Sequence, residues 1–500
     1  MKEKLKALLT RSLPTGNVLE QTVKSGAWLG AMNVASRALQ IVMVIVLANL
    51  LSPKDFGLLG IGLLVLSGLE NFSDLGLNSA VIQQKEENVD RYLDTMWTLK
   101  LARGVVLATV IVLIAPVVAS VFNEPRATDI VRLIALSPIF VALRNPGIVY
   151  FKKDLDFHLE FLYQMSGSVT RFAVSLAWAL LSPTVWALVA GLVASEFVKT
   201  VFSYAGHGYR PWLSLDRERA GELINYGKWI TGNSILYFLN SEGDDAIVGW
   251  LLSATALGFY QMAFRLSNAP ATEVTQVISN VMFPAFSTLQ DDLWALRDAY
   301  YRMLQVTVFV SFPMAFGIAA VADVFVLTFL GQEWAQMITV MKILAGYALL
   351  RSIGKTMSPL WKAIGRPDYI TKVSLLRVVI AAILIIPATN AYGINGAGLV
   401  ILGTYLFPMF PIDVYLVVTS IEGSYTRFAR ELAYPLIGSG EMYALVTTID
   451  QRNPLAPGVV EFALLVAVGA VTYVAAVGLL ATQFRWGIKK NIRSLVDALA

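Results

Sequence analysis

Residues 26–58 read GAWLGAMNVASRALQIVMVIVLANLLSPKDFGL, and residues 227–259 read GKWITGNSILYFLNSEGDDAIVGWLLSATALGF. Between Gly26 and Leu51 the only charged residue is Arg37. An apolar helix of that length crosses a hydrocarbon layer at about 1.5 Å per residue. Ser52-Pro53 then breaks the run and a second apolar run begins. Runs of this kind recur as far as Trp486, and they decide the class. The 500 residues are 56% apolar and 15% charged, with a mean hydropathy of +0.62. A soluble domain is roughly 45–50% apolar and about 25% charged. A soluble enzyme, a secreted disulfide scaffold and a disordered chain are excluded. With no Cys, and His158 and His207 as the only histidines, thiol chemistry and multi-histidine metal sites are excluded too. The net charge of +4 sits in loops and does not point to nucleic acid.

The chain therefore reads as an all-α polytopic membrane protein. Hydropathy predicts about fourteen transmembrane helices, at 26–51, 56–82, 95–121, 128–151, 157–181, 184–205, 226–252, 257–285, 296–322, 335–353, 369–389, 394–420, 431–449 and 458–484. The two quoted stretches align when shifted from 26 to 227: Gly26 and Trp28 on Gly227 and Trp229, and Leu51, Ser52 and Gly57 on Leu252, Ser253 and Gly258. Six spans separate the copies, so both have the same orientation. That is a parallel repeat of two six-helix halves, with a substrate path between them. By this register the seventh span runs to Leu252 and carries Asn240–Asp245 at mid-membrane. The expected organisation is an amphipathic segment at 1–24, a first lobe at 25–205, a linker at 206–225, a second lobe at 226–422, two further helices within 423–487, and a tail at 488–500. Loop Lys and Arg residues alternate strongly in favour of one side; Lys54, Arg126 and Arg452 are those on the other. The positive-inside rule then puts both termini in the cytoplasm and the protein in a bacterial or archaeal plasma membrane. Residues 1–24 have no cleavable apolar core and read as lying on the lipid headgroups.

Polar residues fall on single faces of four spans. The first carries Asn33, Arg37 and Gln40 at i, i+4 and i+7; the second carries Ser67, Glu70, Asn71, Asp74 and Asn78. The seventh carries Asn233, Asn240 and Asp244, with Asp245 beside them and Glu242 nearly opposite. The eighth carries Gln261, Arg265, Asn268, Thr272, Thr275, Gln276 and Ser279. A charge at mid-bilayer costs roughly 2.5–3.5 kcal/mol or more, so such faces turn away from lipid, toward one shared wet cavity. Single Ser or Asn residues also serve simply to join helices. Arg37 and Arg265 are the candidate anion-binding groups. Glu242, Asp244 and Asp245 are a candidate proton or cation site, because close carboxylates repel. Glu70 and Asp74 read equally well as counter-ions to Arg37. The fifth span adds Gln164, Ser168, Arg171 and Ser175 on one face. Lys100 and Arg103 read as snorkelling, and Arg132, Arg144, Lys342, Arg351 and Arg377 as interface residues.

No G-x-x-x-x-G-K-[ST] loop is present, so transport would be secondary or passive. Long external loops and metal-binding carboxylates, which a membrane glycosyltransferase or polymerase would need, are lacking; Asp291-Asp292 reads as a helix end.

At 36–62 (SRALQIVMVIVLANLLSPKDFGLLGIG), 74–83 (DLGLNSAVIQ), 150–157 (YFKKDLDF) and 244–270 (DDAIVGWLLSATALGFYQMAFRLSNAP) the sequence resembles the polysaccharide flippases. This is the Wzx-type branch, in its lipopolysaccharide and colanic-acid exporter subgroup, of the multidrug/oligosaccharidyl-lipid/polysaccharide exporter (MOP) superfamily. The resemblance implies a MATE-like V of two pseudo-twofold-related six-helix lobes around a central polar cavity, plus two C-terminal helices. The implied activity is alternating-access translocation of a polyprenyl-(di)phosphate-linked oligosaccharide for cell-surface polysaccharide synthesis. In the related lipid II flippases an arginine of the eighth helix engages the diphosphate, and Tyr260, Arg265-Leu266 and Pro270 match that stretch. Arg265 is thus the implied phosphate ligand, and Arg37 matches a first-helix arginine. Met43 and Glu70 stand where those flippases carry further basic residues, so phosphate recognition would rest on fewer cations. The implied binding set is Arg37, Arg265, Asn33, Gln40, Glu70, Asn71, Asp74, Gln261 and Asn268, with Glu242, Asp244 and Asp245 for a coupling Na+ or H+. No other cofactor is expected. The implied partners are the lipid-linked glycan, membrane lipids and glycan polymerase or assembly proteins, and a monomer suffices. The alternative is a cation-coupled multidrug exporter of the same superfamily.

Overall fold

The computed structural model describes Ser36 and residues 38–74, 89–153, 157–452, 457–483 and Trp486. Asn33, Arg37 and Asn78, the segment at 1–24 and the tail at 488–500 lie outside the described residues, as do the side chains of Asn233, Thr272, Thr275, Gln276 and Ser279. Among the described residues the regular structure is all helical. Among the described residues seven stretches are long and apolar enough to cross a membrane: Pro53–Phe72, Tyr92–Val121, Val185–Gly206, Leu293–Leu330, Gln332–Ala363, Asp368–Ser420 and Val459–Gln483.

Two compact units are present. The first runs to Glu242 and includes Ser253–Thr255; the second comprises Gly243–Leu252 and the residues from Ala256 on. In the first unit α1 (Ala38–Ala48) is followed after a short turn by α2 (Pro53–Phe72). Ser52 caps α2: its Oγ accepts from the Asp55 amide, and the Asp55 carboxylate accepts from the Ser52 amide at 3.1 Å. The other Asp55 oxygen accepts from the Val185 amide at 3.0 Å, which ties this turn to the start of a later helix. Next come α3 (Val89–Val121), α4 (Ala127–Ile134), α5 (Leu136–Leu143) and the short α6 (Val149–Lys153). The span expected at 128–151 is thus several pieces. Pro138 has no N–H for an intrahelical bond, and Asn145-Pro146 forces an extended residue before the proline.

Helices α7 (Phe157–Leu181) and α8 (Val185–Gly206) form a close pair. Gly191 of α8 makes the approach possible, since a Cβ there would lie 2.7 Å from the Arg171 carbonyl oxygen and overlap Ser175. After α8 the chain runs extended over 207–216 before α9 (Arg217–Leu251). Helix α9 begins well before the expected 226, because the polar turn RERAGELIN is itself helix-forming. Residues 240–245 lie within it, as the repeat requires.

The extended run is strapped to α3. Asp94 Oδ1 accepts from the Tyr209 hydroxyl at 2.8 Å and from the Trp212 amide at 3.0 Å. The Ser214 amide donates to Thr98 Oγ1 at 3.0 Å and the Asp216 amide to Thr95 Oγ1 at 3.4 Å. Buried Asn145 donates to the carbonyls of Tyr209 and His207, and the His207 ring stacks on Tyr150.

In the second unit α10 (Ala254–Thr288), α11 (Leu293–Phe325), α12 (Ile338–Ala363) and α13 (Asp368–Thr404) precede α14 (Phe410–Ser420), α15 (Tyr425–Arg452) and α16 (Val459–Gln483). Helix α13 is kinked at Gly393 (φ +59°), a backbone setting that glycine adopts without strain. Gly396 then packs against the Ala388 carbonyl. The expected span 394–420 is broken over Tyr405–Met409, where Phe407 is extended (φ −149°, ψ 124°) between α13 and α14. Pro408 and Pro411 remove two helical donors there. One core joins α11, α12 and α14 around Tyr300, Phe312, Leu360 and Val417. Another joins α11, α15 and α16 around Met442, Leu465 and Tyr473, and includes Trp486.

Candidate functional site

In the first unit a polar pocket of about 310 Å³ opens between α1, α7 and α8. Gln40 and Met43 line it from α1; Gln164, Ser168 and Arg171 from α7; Ser195, Glu196 and Lys199 from α8. The α7 residues recur at i, i+4 and i+7, which puts all three on one face. The fourth member of that expected face, Ser175, is buried at the glycine crossing instead.

Charge in the pocket is internally organised. Lys199 Nζ donates to Gln164 Oε1 at 2.9 Å, and Gln164 Nε2 donates to Glu160 Oε1 at 2.8 Å. Arg144 forms an ion pair with Glu196. Arg144 and Lys199 both lie over the Tyr163 ring, 5.9 and 5.5 Å from its centroid. Arg144, read from the sequence as an interface residue, is only 17% exposed and belongs to this site. The α8 contribution lies outside the polar faces read from the sequence. Its signal was Glu196 and Lys199, two charges one turn apart inside an otherwise apolar span.

The second-span polar face is largely self-satisfied. Asn71 Nδ2 donates to the Ser67 carbonyl at 2.8 Å. Arg103 does not simply snorkel: its guanidinium donates to the Glu70 carbonyl at 2.7 Å and to Ser73 Oγ at 3.1 Å, closing the last turn of α2. Asp74 accepts from the Ser234 hydroxyl at 3.2 Å.

In the second unit α9 and α10 are joined by paired polar contacts. The Tyr260 hydroxyl donates to Asp244 Oδ2 at 2.7 Å, and Gln261 Nε2 donates to Asp245 Oδ2 at 2.9 Å. Asp244 is buried, while Asp245 and Glu242 are half-buried. Arg377 of α13 is the cation whose charge acts on Asp244. Arg377 stands 5.1 Å from the Tyr405 ring centroid and is hydrogen-bonded to Tyr347, so it too belongs to an interior cluster rather than an interface. Asp244 and Asp245 point to separate partners. Among the described residues no three His, Cys, Asp or Glu side chains converge as metal ligands. On α10, Arg265 is exposed whereas Asn268 is buried and donates to the Phe264 carbonyl at 3.2 Å. The expected single stripe of Gln261, Arg265 and Asn268 therefore divides between two environments.

A polytopic all-α protein with polar clusters inside apolar helices, and no convergent catalytic set among the described residues, has the architecture of a membrane carrier. The family described as "Polysaccharide biosynthesis protein" matches residues 46–339, and the chain belongs to that family. It is 26% identical over 422 residues to the lipopolysaccharide biosynthesis protein WzxC of Escherichia coli, covering 83% of this chain and 85% of that one. It is 26% identical over 369 residues to the succinoglycan biosynthesis transport protein ExoT of Rhizobium meliloti, covering 73% and 74%. Among solved structures, the lipid II flippase MurJ in an inward closed conformation shares the fold with a TM-score of 0.75 at 13% identity, covering 91% of this chain and 99% of that one. An inward-facing MATE multidrug transporter of the MOP superfamily follows with a TM-score of 0.62 at 14% identity, over 77% and 95%.

Proposed function

We propose that this protein is a flippase that moves a polyprenyl-(di)phosphate-linked oligosaccharide across the cytoplasmic membrane by alternating access. The observation that carries the reading is the pocket between α1, α7 and α8, where hydroxyl, amide, carboxylate and cationic groups line a space of about 310 Å³. Sugar hydroxyls both donate and accept, and a mixed lining of this kind meets both needs. Small-molecule pockets run from roughly 300 Å³ upward, so the space suits a group of monosaccharide size. Membership of a polysaccharide biosynthesis family supports the same cargo class.

In this reading Arg37 and Arg265 hold the phosphate, for which a guanidinium offers paired hydrogen bonds. Asn33, Gln40, Glu70, Asn71, Asp74, Gln261 and Asn268 serve the sugars. An apolar groove of about 540 Å³ between α11, α15 and α16, lined by Phe309, Pro313, Met442, Phe462 and Tyr473, suits an isoprenoid chain. About fourteen spans form two six-helix lobes with two further helices, both termini are cytoplasmic, and a Na+ or H+ gradient drives the cycle of a monomer.

The test is translocation of a labelled polyprenyl-diphosphate glycan in proteoliposomes, with Arg37→Ala and Arg265→Ala alongside. Movement lost in both variants supports cargo and site together. Movement unaffected by either removes the phosphate assignment. Drug efflux without glycan movement transfers the protein to the multidrug branch, which the MATE likeness keeps as the second reading.

A further inference from the structure

Helix α14 begins inside an apolar, membrane-crossing stretch, directly after the break at Tyr405–Met409. Asp413 lies in its first turn and is 6% exposed. Its Oδ1 is buried without a hydrogen-bond partner, and among the described residues Asp413 makes no ion pair within 4.0 Å. Broken helices are where membrane carriers can place an ion-binding group, because the break exposes a helix terminus in the interior. A buried carboxylate with an unsatisfied oxygen is costly, whereas the neutral acid is much less so.

We propose that Asp413 is a reversible proton-binding site of the second unit, and that its carboxylate, taking one proton to become the neutral acid, couples the carrier to a proton gradient. Opposing influences meet on this side chain. Phe410, Val414 and Val417 of the same helix belong to the apolar core of the second unit. Arg377 on α13 is the cation whose charge acts on Asp413. Tyr405 from the break and Tyr300 from α11 are the other titratable groups acting there, and Arg351 of α12 acts on Tyr405. A metal cation fits less well, since hard cations take several oxygen ligands and Arg377 repels them. The assignment differs from the helix-borne acids Glu242, Asp244 and Asp245. Asp244 already has the Tyr260 hydroxyl as donor, and Asp245 has the Gln261 amide.

Two measurements test it on the full-length protein in lipid nanodiscs and proteoliposomes. Infrared difference spectra recorded across a pH titration read the carboxylic acid carbonyl band directly and need no cargo. The expected result is a titrating band that is absent in Asp413→Asn and shifted in Asp413→Glu. A band unchanged in Asp413→Asn overturns the proposal. The second measurement rests on the flippase reading: a pH gradient should accelerate glycan movement at least about 5-fold in the wild type, the lower end of ordinary coupling, and leave Asp413→Asn unaccelerated. A gradient response retained in Asp413→Asn, or a response to Na+ alone, overturns it. If no glycan moves in any variant while the infrared band still depends on Asp413, the flippase reading fails and the proton site stands.

Discussion

Asp94 offers the sharpest test of how the strap at 207–216 is held. One carboxylate oxygen accepts both the Tyr209 hydroxyl and the Trp212 amide. Asp94→Ala removes both bonds and leaves the Ser214 and Asp216 amides bonded to Thr98 and Thr95. A hydrogen bond to a charged group contributes about 1.5–3 kcal/mol when sheltered, and a typical bond about 1 kcal/mol. The strap is open to solvent, with Trp212 77% exposed, so about 1 kcal/mol per bond is the appropriate figure. The local opening free energy should therefore fall by about 2 kcal/mol, which corresponds to roughly 30-fold faster opening. Asp94→Asn keeps an acceptor oxygen without the charge, and its effect should fall between wild type and alanine. Hydrogen–deuterium exchange of peptides covering 209–216 reads this directly, with helix α4, buried along one face, as internal reference. If the alanine variant exchanges at the wild-type rate, or the wild-type strap is already unprotected, the reasoning is refuted.

Other outcomes follow from the same geometry. Glu196→Gln leaves Arg144 without its counter-charge, and breaking a buried pair costs about 3–5 kcal/mol; with the partners 17% and 19% exposed, about 2–3 kcal/mol is expected. Restoring about half of that loss in the Glu196→Gln, Arg144→Gln double variant, followed by thermal unfolding in detergent, is the check; simple additivity would deny the coupling. Trp486→Phe keeps an aromatic ring beside Tyr434 but removes the Nε1 donor to Glu431, which is buried. A loss of about 1–3 kcal/mol is expected, and Trp486→Ala should lose about 3–5 kcal/mol through the cavity as well. Melting of Trp486→Phe at the wild-type temperature would mean that the indole N–H contributes nothing.

Much of the helical architecture was legible because an apolar run of membrane-crossing length is a strong signal. Pro138, Asn145-Pro146 and Pro408 stood in the sequence as breakers, yet hydropathy averaged over a window passes through them. The α7 face at Gln164, Ser168 and Arg171 was readable from its period. The wall that faces it was not, because Glu196 and Lys199 are isolated charges in an apolar span and gain meaning only from Arg144, Gln164 and Tyr163. Arg377 reads as an interface residue for a related reason: its partners Tyr347 and Tyr405 come from other segments. Asp413 escaped notice because a lone acid has no periodicity. The strap was illegible altogether, since Asp94 and Trp212 are 118 residues apart in sequence.

The bare crossing at Gly191 has a mechanical corollary. With no side chain on Gly191, α7 and α8 bear on each other like two boards nailed at one point. Gln164 and Arg171 on one board and Glu196 and Lys199 on the other keep their register. Two walls of the polar pocket are thereby a fixed jamb. Its third wall is α1, with Gln40 and Met43.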